Sequence, residues 1–125
     1  MIKTIVSIAL SFAFIFGLSA YEIHFVNERF SEFYDVVKAL HQKTEQKTAT
    51  YEDGVAVQTY WREQKHILHV WLPHTLLQET DYHLDEVVGL LYTGQYETAL
   101  PKLEVVLGLA EEIPRSYDLH LGNIF

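Results

Sequence analysis

The stretch Thr4–Leu40, TIVSIALSFAFIFGLSAYEIHFVNERFSEFYDVVKAL, decides the fold. No charged residue stands between Thr4 and Tyr21. A run of roughly 18 apolar residues is near the minimum that crosses a hydrocarbon core as a helix. Beyond it, Ile23, Val26, Phe30, Phe33, Val37 and Leu40 follow at spacings of three, four, three, four and three. That is an apolar seam of heptad type, with Glu22, Glu28, Arg29, Glu32 and Lys38 off it. No proline interrupts Lys3 to Leu72. The pattern predicts one helix that leaves a membrane and continues as an amphipathic rod, fraying in the polar, threonine-bearing stretch His41–Thr50.

An early lysine and a Gly17-Leu18-Ser19-Ala20 ending also suit a secretory signal. Cleavage after Ser19 puts Gly17 at minus three, which is acceptable; cleavage after Ala20 puts Leu18 there, which is poor. The helical pattern does not pause at this point, so we expect an uncleaved anchor over residues 1–21 and an extracytoplasmic domain over residues 22–125. Lys3 is the only lysine or arginine before Arg29, which keeps the N-terminus on the cytoplasmic side.

Outward from that stretch, three more helices are expected. Val57, Trp61, Gln64, Leu68 and Trp71 form a second seam, ended by Pro73. A third helix is read from about Leu77 or Glu79 to Tyr92, with Leu84, Val87, Val88 and Leu91 inward, stopped at Thr93-Gly94. A fourth is read from about Gln95 to Ile113 on Tyr96, Ala99, Leu103, Val106, Ala110 and Ile113. Thr98 as its N-cap places Pro101 in the first turn, and Pro114 ends it. The tail residues Leu119, Leu121, Ile124 and Phe125 are too apolar for a free end and are expected to pack back on the bundle. The fold class is therefore all-α: a transmembrane helix continuing into an antiparallel four-helix-type bundle. Leu91–Leu100 looks like the middle of a tetratricopeptide repeat, but one unit cannot bury its own face, and it is read as the grammar of a tight helical hairpin.

Composition bounds the chemistry. The chain has 125 residues and no cysteine, which removes disulfides, thiolate metal sites and cysteine nucleophiles. Acids outnumber lysine and arginine 17 to 9, and Glu79–Phe125 holds nine acids against Lys102 and Arg115. Such a surface repels phosphate backbones, so nucleic acid is excluded as a partner.

Seven histidines are present. His66 and His69 share a helix face, with His74 and His83 following, and two imidazoles plus a third can hold zinc. The HExxH spacing is absent, so no metal and no cofactor is assigned. Asp81, His83 and Asp85 are the one acid–base cluster. Without a nucleophile elbow or a glycine-rich phosphate loop they support no enzyme, and Asp81 and Asp85 are read as acids complementing the start of the third helix. Two Trp and eight Tyr give either a core with polar tips at its rim or a binding face. The candidate interaction residues are Trp61, Trp71, His74, Ile124 and Phe125.

At these landmarks the chain resembles the domain-of-unknown-function 4363 family, small single-pass proteins of Gram-positive bacteria. Trp61 and His74 stand thirteen residues apart, the separation in that family between a tryptophan and the histidine that ends a WxxFxxH-like stretch, with Ile67 and Trp71 at the intervening large apolar positions. Leu84, Ala99, Leu100 and Leu103 match the apolar skeleton, and Ile113-Pro114 through Leu119, Leu121 and Asn123-Ile124-Phe125 match the closing pattern. The chain departs from the family at Leu76 and Gln78, where an acidic pair is usual, and at Gln46, Lys47 and Thr50 in the first hairpin. The resemblance implies a topology and no chemistry. The expected function is a membrane-tethered helical module that binds a membrane or cell-surface protein. The alternative is a metal- or small-ligand-binding sensor built on His66, His69, His74 and His83.

Overall fold

The computed structural model describes residues 1–70 and 72–124, with side chains described through Ser116. It contains four helices: α1 Ile2–Glu45, α2 Tyr51–Leu68, α3 His74–Tyr92 and α4 Tyr96–Ile124, and no strand among the described residues. α1 packs against α2 and α4, and α3 packs against α2 and α4, so each helix touches its two neighbours around a four-cornered bundle.

The heptad seam of α1 is the first wall of the core. Val26, Phe30, Phe33, Val37 and Leu40 are all buried, and the charged residues off the seam are not. The α2 seam answers it with Val57, Trp61, Gln64 and Leu68. Trp61 lies over Phe33 with ring centroids 4.6 Å apart and over Phe30 at 6.0 Å. Tyr60 reaches Glu32 and Phe33, and Gln64 accepts from Arg29, so the partners step back along α1 as α2 advances. α4 closes the core with Ala99, Leu103, Val106, Ala110 and Ile113, each of which the three-four spacing placed inward.

The links are short because each helix end is chemically stopped. α1 ends at Glu45, within the stretch expected to fray. There Lys47 adopts φ 58°, while Thr48 N–H bonds back to Lys43 O at 2.9 Å and Lys47 N–H to Thr44 O at 3.1 Å. This is the reverse turn that usually recruits glycine, here made by a lysine. α2 opens on a capping box: Thr50 Oγ1 accepts from Asp53 N–H at 3.1 Å, and Thr50 N–H donates to Asp53 Oδ2 at 2.9 Å. α3 ends on Gly94 at φ 71°, with Gln95 N–H reaching Leu90 O at 2.9 Å.

Three boundaries differ from the sequence-based expectation. α3 starts at His74, directly after Pro73, because Leu77 and Thr80 are fully buried and draw the first turns into the bundle. α4 starts at Tyr96, so Thr98 is not its cap and Pro101 lies in the second turn. α4 also runs through Pro114 to Ile124 instead of ending at Ile113. A proline inside a helix costs about 3 kcal/mol or more, because a carbonyl one turn back loses its donor. Ala110, Ile113 and Pro114 are all buried at this point, so packing offsets the loss. The expected packing of Leu119, Leu121, Ile124 and Phe125 lies outside the described side chains.

The outer half of α1 contrasts with all of this. Every side chain from Met1 to Leu18 is exposed, Phe14 by 67% and Leu10 by 66%. The helix is long and apolar enough to cross a membrane, and its most apolar window has no buried residue.

Candidate functional site

A cleft of about 270 Å³ opens between α2 and α3, lined by Gln58, Trp61, Arg62, Lys65, His74, Gln78, Asp81, Tyr82, Leu84 and Asp85. Its floor follows from the α2 seam. The Trp61 ring is buried in the core, and its polar edge emerges into the cleft, where Nε1–H donates to Asp81 Oδ1 at 2.7 Å. One helical turn on, Lys65 Nζ donates to Asp81 Oδ2 at 2.8 Å. Both carboxylate oxygens of Asp81 are therefore engaged by α2, in charge-assisted and indole bonds that tie the two helices together. A second tie runs from Gln58 Nε2 to Asp85 Oδ1 at 2.5 Å. On the outer lip, Gln78 Nε2 donates to the Tyr82 hydroxyl at 2.8 Å.

The sequence-predicted residues are sorted by this geometry. Trp61 and His74 both line the cleft, although thirteen residues separate them. Trp71 and Phe125 lie outside the described residues, and of Ile124 only the helical backbone is described. Asp81 and Asp85 line the cleft without His83, because residues two apart on a helix point to opposite sides. The acid–base cluster is thus not assembled. Nor do Asp81 and Asp85 sit at the start of α3: the helix begins at His74 and its first turn carries no acid. Their work is between helices.

The four histidines separate in the same way. The rings of His66 and His69 are 5.5 Å apart on the exposed face of α2, with His69 Nδ1 against the His66 carbonyl oxygen. His74 faces the cleft, and His83 Nδ1 is buried without a hydrogen-bond partner, as is Thr80 Oγ1. Among the described residues, no three His, Asp or Glu side chains gather closely enough to hold a metal ion. A histidine that did not figure among the candidates has the closest acidic neighbours. His41, nearly buried, puts Nδ1 2.8 Å from Glu45 Oε1 and Nε2 3.7 Å from Glu104 Oε1, linking α1 to α4, though neither approach is aligned as a hydrogen bond.

Gln58, Arg62, Lys65, Gln78 and Tyr82 complete the cleft and were not singled out from sequence. Arg62 and Lys65 flank the α2 seam one turn apart, and that spacing is the signal that points to them. The capping residues Thr50 and Asp53 carried the plainer signal of a hydroxyl residue followed three places later by an acid.

One carboxyl and one phenol are shifted, the first by a hydrogen bond at a helix start and the second by burial. The backbone hydrogen bond from Thr50 holds the Asp53 carboxyl below its ordinary value of 3.8, with Lys43 adding to the effect at 3.3 Å. Burial raises the Tyr60 hydroxyl, and the Glu32 carboxylate raises it further.

No family model, curated protein or solved structure matches the chain.

Proposed function

We propose that this protein is a single-pass, membrane-tethered module whose antiparallel helical bundle stands outside the cytoplasm and binds a segment of a membrane or cell-surface protein in the α2–α3 cleft. The observation that carries the tether is the uninterrupted run of α1 from a wholly exposed apolar half into a half that forms the core. The side chains along Ile2–Phe14 form an open surface made by α1 alone, as suits a face turned to lipid chains. The antiparallel arrangement draws support from the short links and from the backward stepping of α2 partners along α1. Lys3 on the short N-terminal side supports a cytoplasmic N-terminus.

The cleft supports binding more than turnover. Asp81 and Asp85 are held by Trp61, Lys65 and Gln58, which fixes their positions and leaves neither as a free base. Arg62 and His74 are exposed at the mouth, beside the Tyr82 ring, and offer a cation and an aromatic surface to a peptide. The likeness to the domain-of-unknown-function 4363 family, carried by Trp61, His74 and the IP to NIF ending, agrees with a single-pass helical topology and adds no activity.

Photo-crosslinking in native membranes tests this. With a photoreactive amino acid at Arg62 or Gln78, a discrete protein adduct is expected, and none with it at Thr98 on the far end of the bundle. Equal labelling at all three positions would end the binding reading. Recovery of the chain in the soluble fraction after carbonate-free lysis would end the tether. The sensor reading on His66, His69, His74 and His83 has only the His66–His69 pair in its favour. Stoichiometric zinc in the native mass of the purified protein, lost in His66→Ala, is the result that would restore it.

A further inference from the structure

The geometry points to a second contact with the bilayer: the described residues 67–70 and 72–76 around the α2–α3 turn rest in the headgroup region beside the anchor. This inference rests on the membrane reading of α1 and extends it to a part of the chain far away in sequence.

The apolar half of α1 from Ile2 to Tyr21 is about 30 Å long at 1.5 Å per residue, the thickness of a hydrocarbon core. Its water boundary therefore falls near Tyr21 and Glu22, the latter being the first acid of the chain. The α2 pairing carries that level across the bundle. Trp61 packs on Phe30 and Phe33, and Gln64 meets Arg29, so each step forward along α2 matches about one step back along α1. Val70, nine residues beyond Trp61, stands level with the positions nine before Phe30 and Phe33, which are Tyr21 and His24. Leu72 N–H bonds back to Leu68 O at 3.0 Å, which keeps the turn close to the end of α2.

At that level the turn exposes three aliphatic side chains close together in the chain. Val70 is 71% exposed, and Ile67 and Leu76 are each 38% exposed, while Leu68, Leu72 and Leu77 are buried and hold the turn in place. Exposed Tyr21 stands at the same height on α1. Aliphatic side chains with tyrosine and histidine around them at one level suit the interfacial zone, where apolar bodies sink and polar tips stay wet. The bundle then meets the membrane at two points, which holds it upright with the cleft mouth just above the headgroups.

The absence of cysteine makes the test direct. Single cysteines at Leu10, Val70 and Thr48 in the full chain take a nitroxide label, and the protein is placed in phosphatidylcholine–phosphatidylglycerol vesicles. Collision with oxygen and with a water-soluble nickel chelate then reads depth. The expected result is a Leu10 label in the hydrocarbon, a Thr48 label in water, and a Val70 label about 5–10 Å below the phosphates. A Val70 label as wet as that at Thr48, with Leu10 still in hydrocarbon, overturns the inference and leaves the anchor standing. A Val70 label shielded from both reagents reports burial against protein and overturns it as well. A Leu10 label in water removes the anchor itself, and the inference with it.

Discussion

The two halves of α1 share one unbroken backbone, yet they meet different surroundings. In residues 2–21 the apolar side chains point in every direction, and the segment is exposed on all sides. In residues 22–45 they are gathered on one stripe, and that stripe is buried against α2 and α4. Angular distribution, more than total hydrophobicity, separates a helix that needs lipid from one that needs a protein neighbour. The difference also shows how position is transmitted. A helix that is continuous across both halves holds the exposed apolar segment at a fixed distance from the bundle.

The sharpest way to break the inner half is Trp61→Ala. The ring is 1% exposed, packs on Phe30 and Phe33, and supplies the indole N–H that holds Asp81. A loss of about 3–5 kcal/mol is expected from the cavity alone, read by chemical denaturation in detergent. Trp61→Phe should recover part of the packing and none of the bond to Asp81, so the gap between the two variants reports packing, while the gap between the parent and Trp61→Phe holds the lost bond in the cleft.

The next effect comes from the closest approach of α2 to α3. A Cβ on Gly54 would lie 3.0 Å from Leu91 Cδ1 and 3.5 Å from Val88 Cγ2. Leu91 is itself buried, so it has little room to give. Gly54→Val should cost about 1–3 kcal/mol by overpacking and lower the thermal midpoint accordingly.

Asp53→Ala should cost about 1 kcal/mol at neutral pH by removing half of the capping box. Because the folded carboxyl titrates below its ordinary value of 3.8, its contribution is complete above that pH and disappears as acid protonates it. The difference between the parent and Asp53→Ala should therefore shrink as pH falls from 5 toward about 2. A difference that stays constant over that range would show that the carboxylate charge is not what stabilises the cap.

The smallest effect belongs to the outer half. Residues 1–15 are all exposed, so deleting them should shift the thermal midpoint of the detergent-solubilised bundle by less than about 4–8 °C, the equivalent of ~1 kcal/mol in a domain of roughly 100 residues. The same deletion should abolish membrane retention. A large drop in midpoint would mean that the outer half supports the bundle after all, and the contrast between the halves would fail.

Much of this architecture is legible in the residues. The three-four seams named the buried face of α1, α2 and α4 almost residue by residue, since a period of 3.6 leaves little choice about which side chains share a face. Prolines and helix starts were less readable. Pro73 was correctly taken as a break, but Pro114 was read the same way and stands inside α4, where buried Ala110 and Ile113 keep the helix together. Local propensity records the cost of a proline and knows nothing of the contacts that offset it. The cleft was half visible: Trp61 and His74 stood out as residue types, while Arg62, Lys65 and Gln78 looked like an ordinary solvated face.

By itself, the sequence determined the helical class, the apolar leader, the stripe that α1, α2 and α4 bury, the break at Pro73 between α2 and α3, and the stop at Gly94. These follow from composition and from spacing along one chain, which local physics can read. Only the tertiary structure decided that Asp81 belongs to Trp61 and Lys65 and that His83 stands apart from Asp81 and Asp85. Each of these depends on the register between helices. Register is set by how ring and aliphatic surfaces interlock across the core, a property of two segments at once that neither segment carries alone.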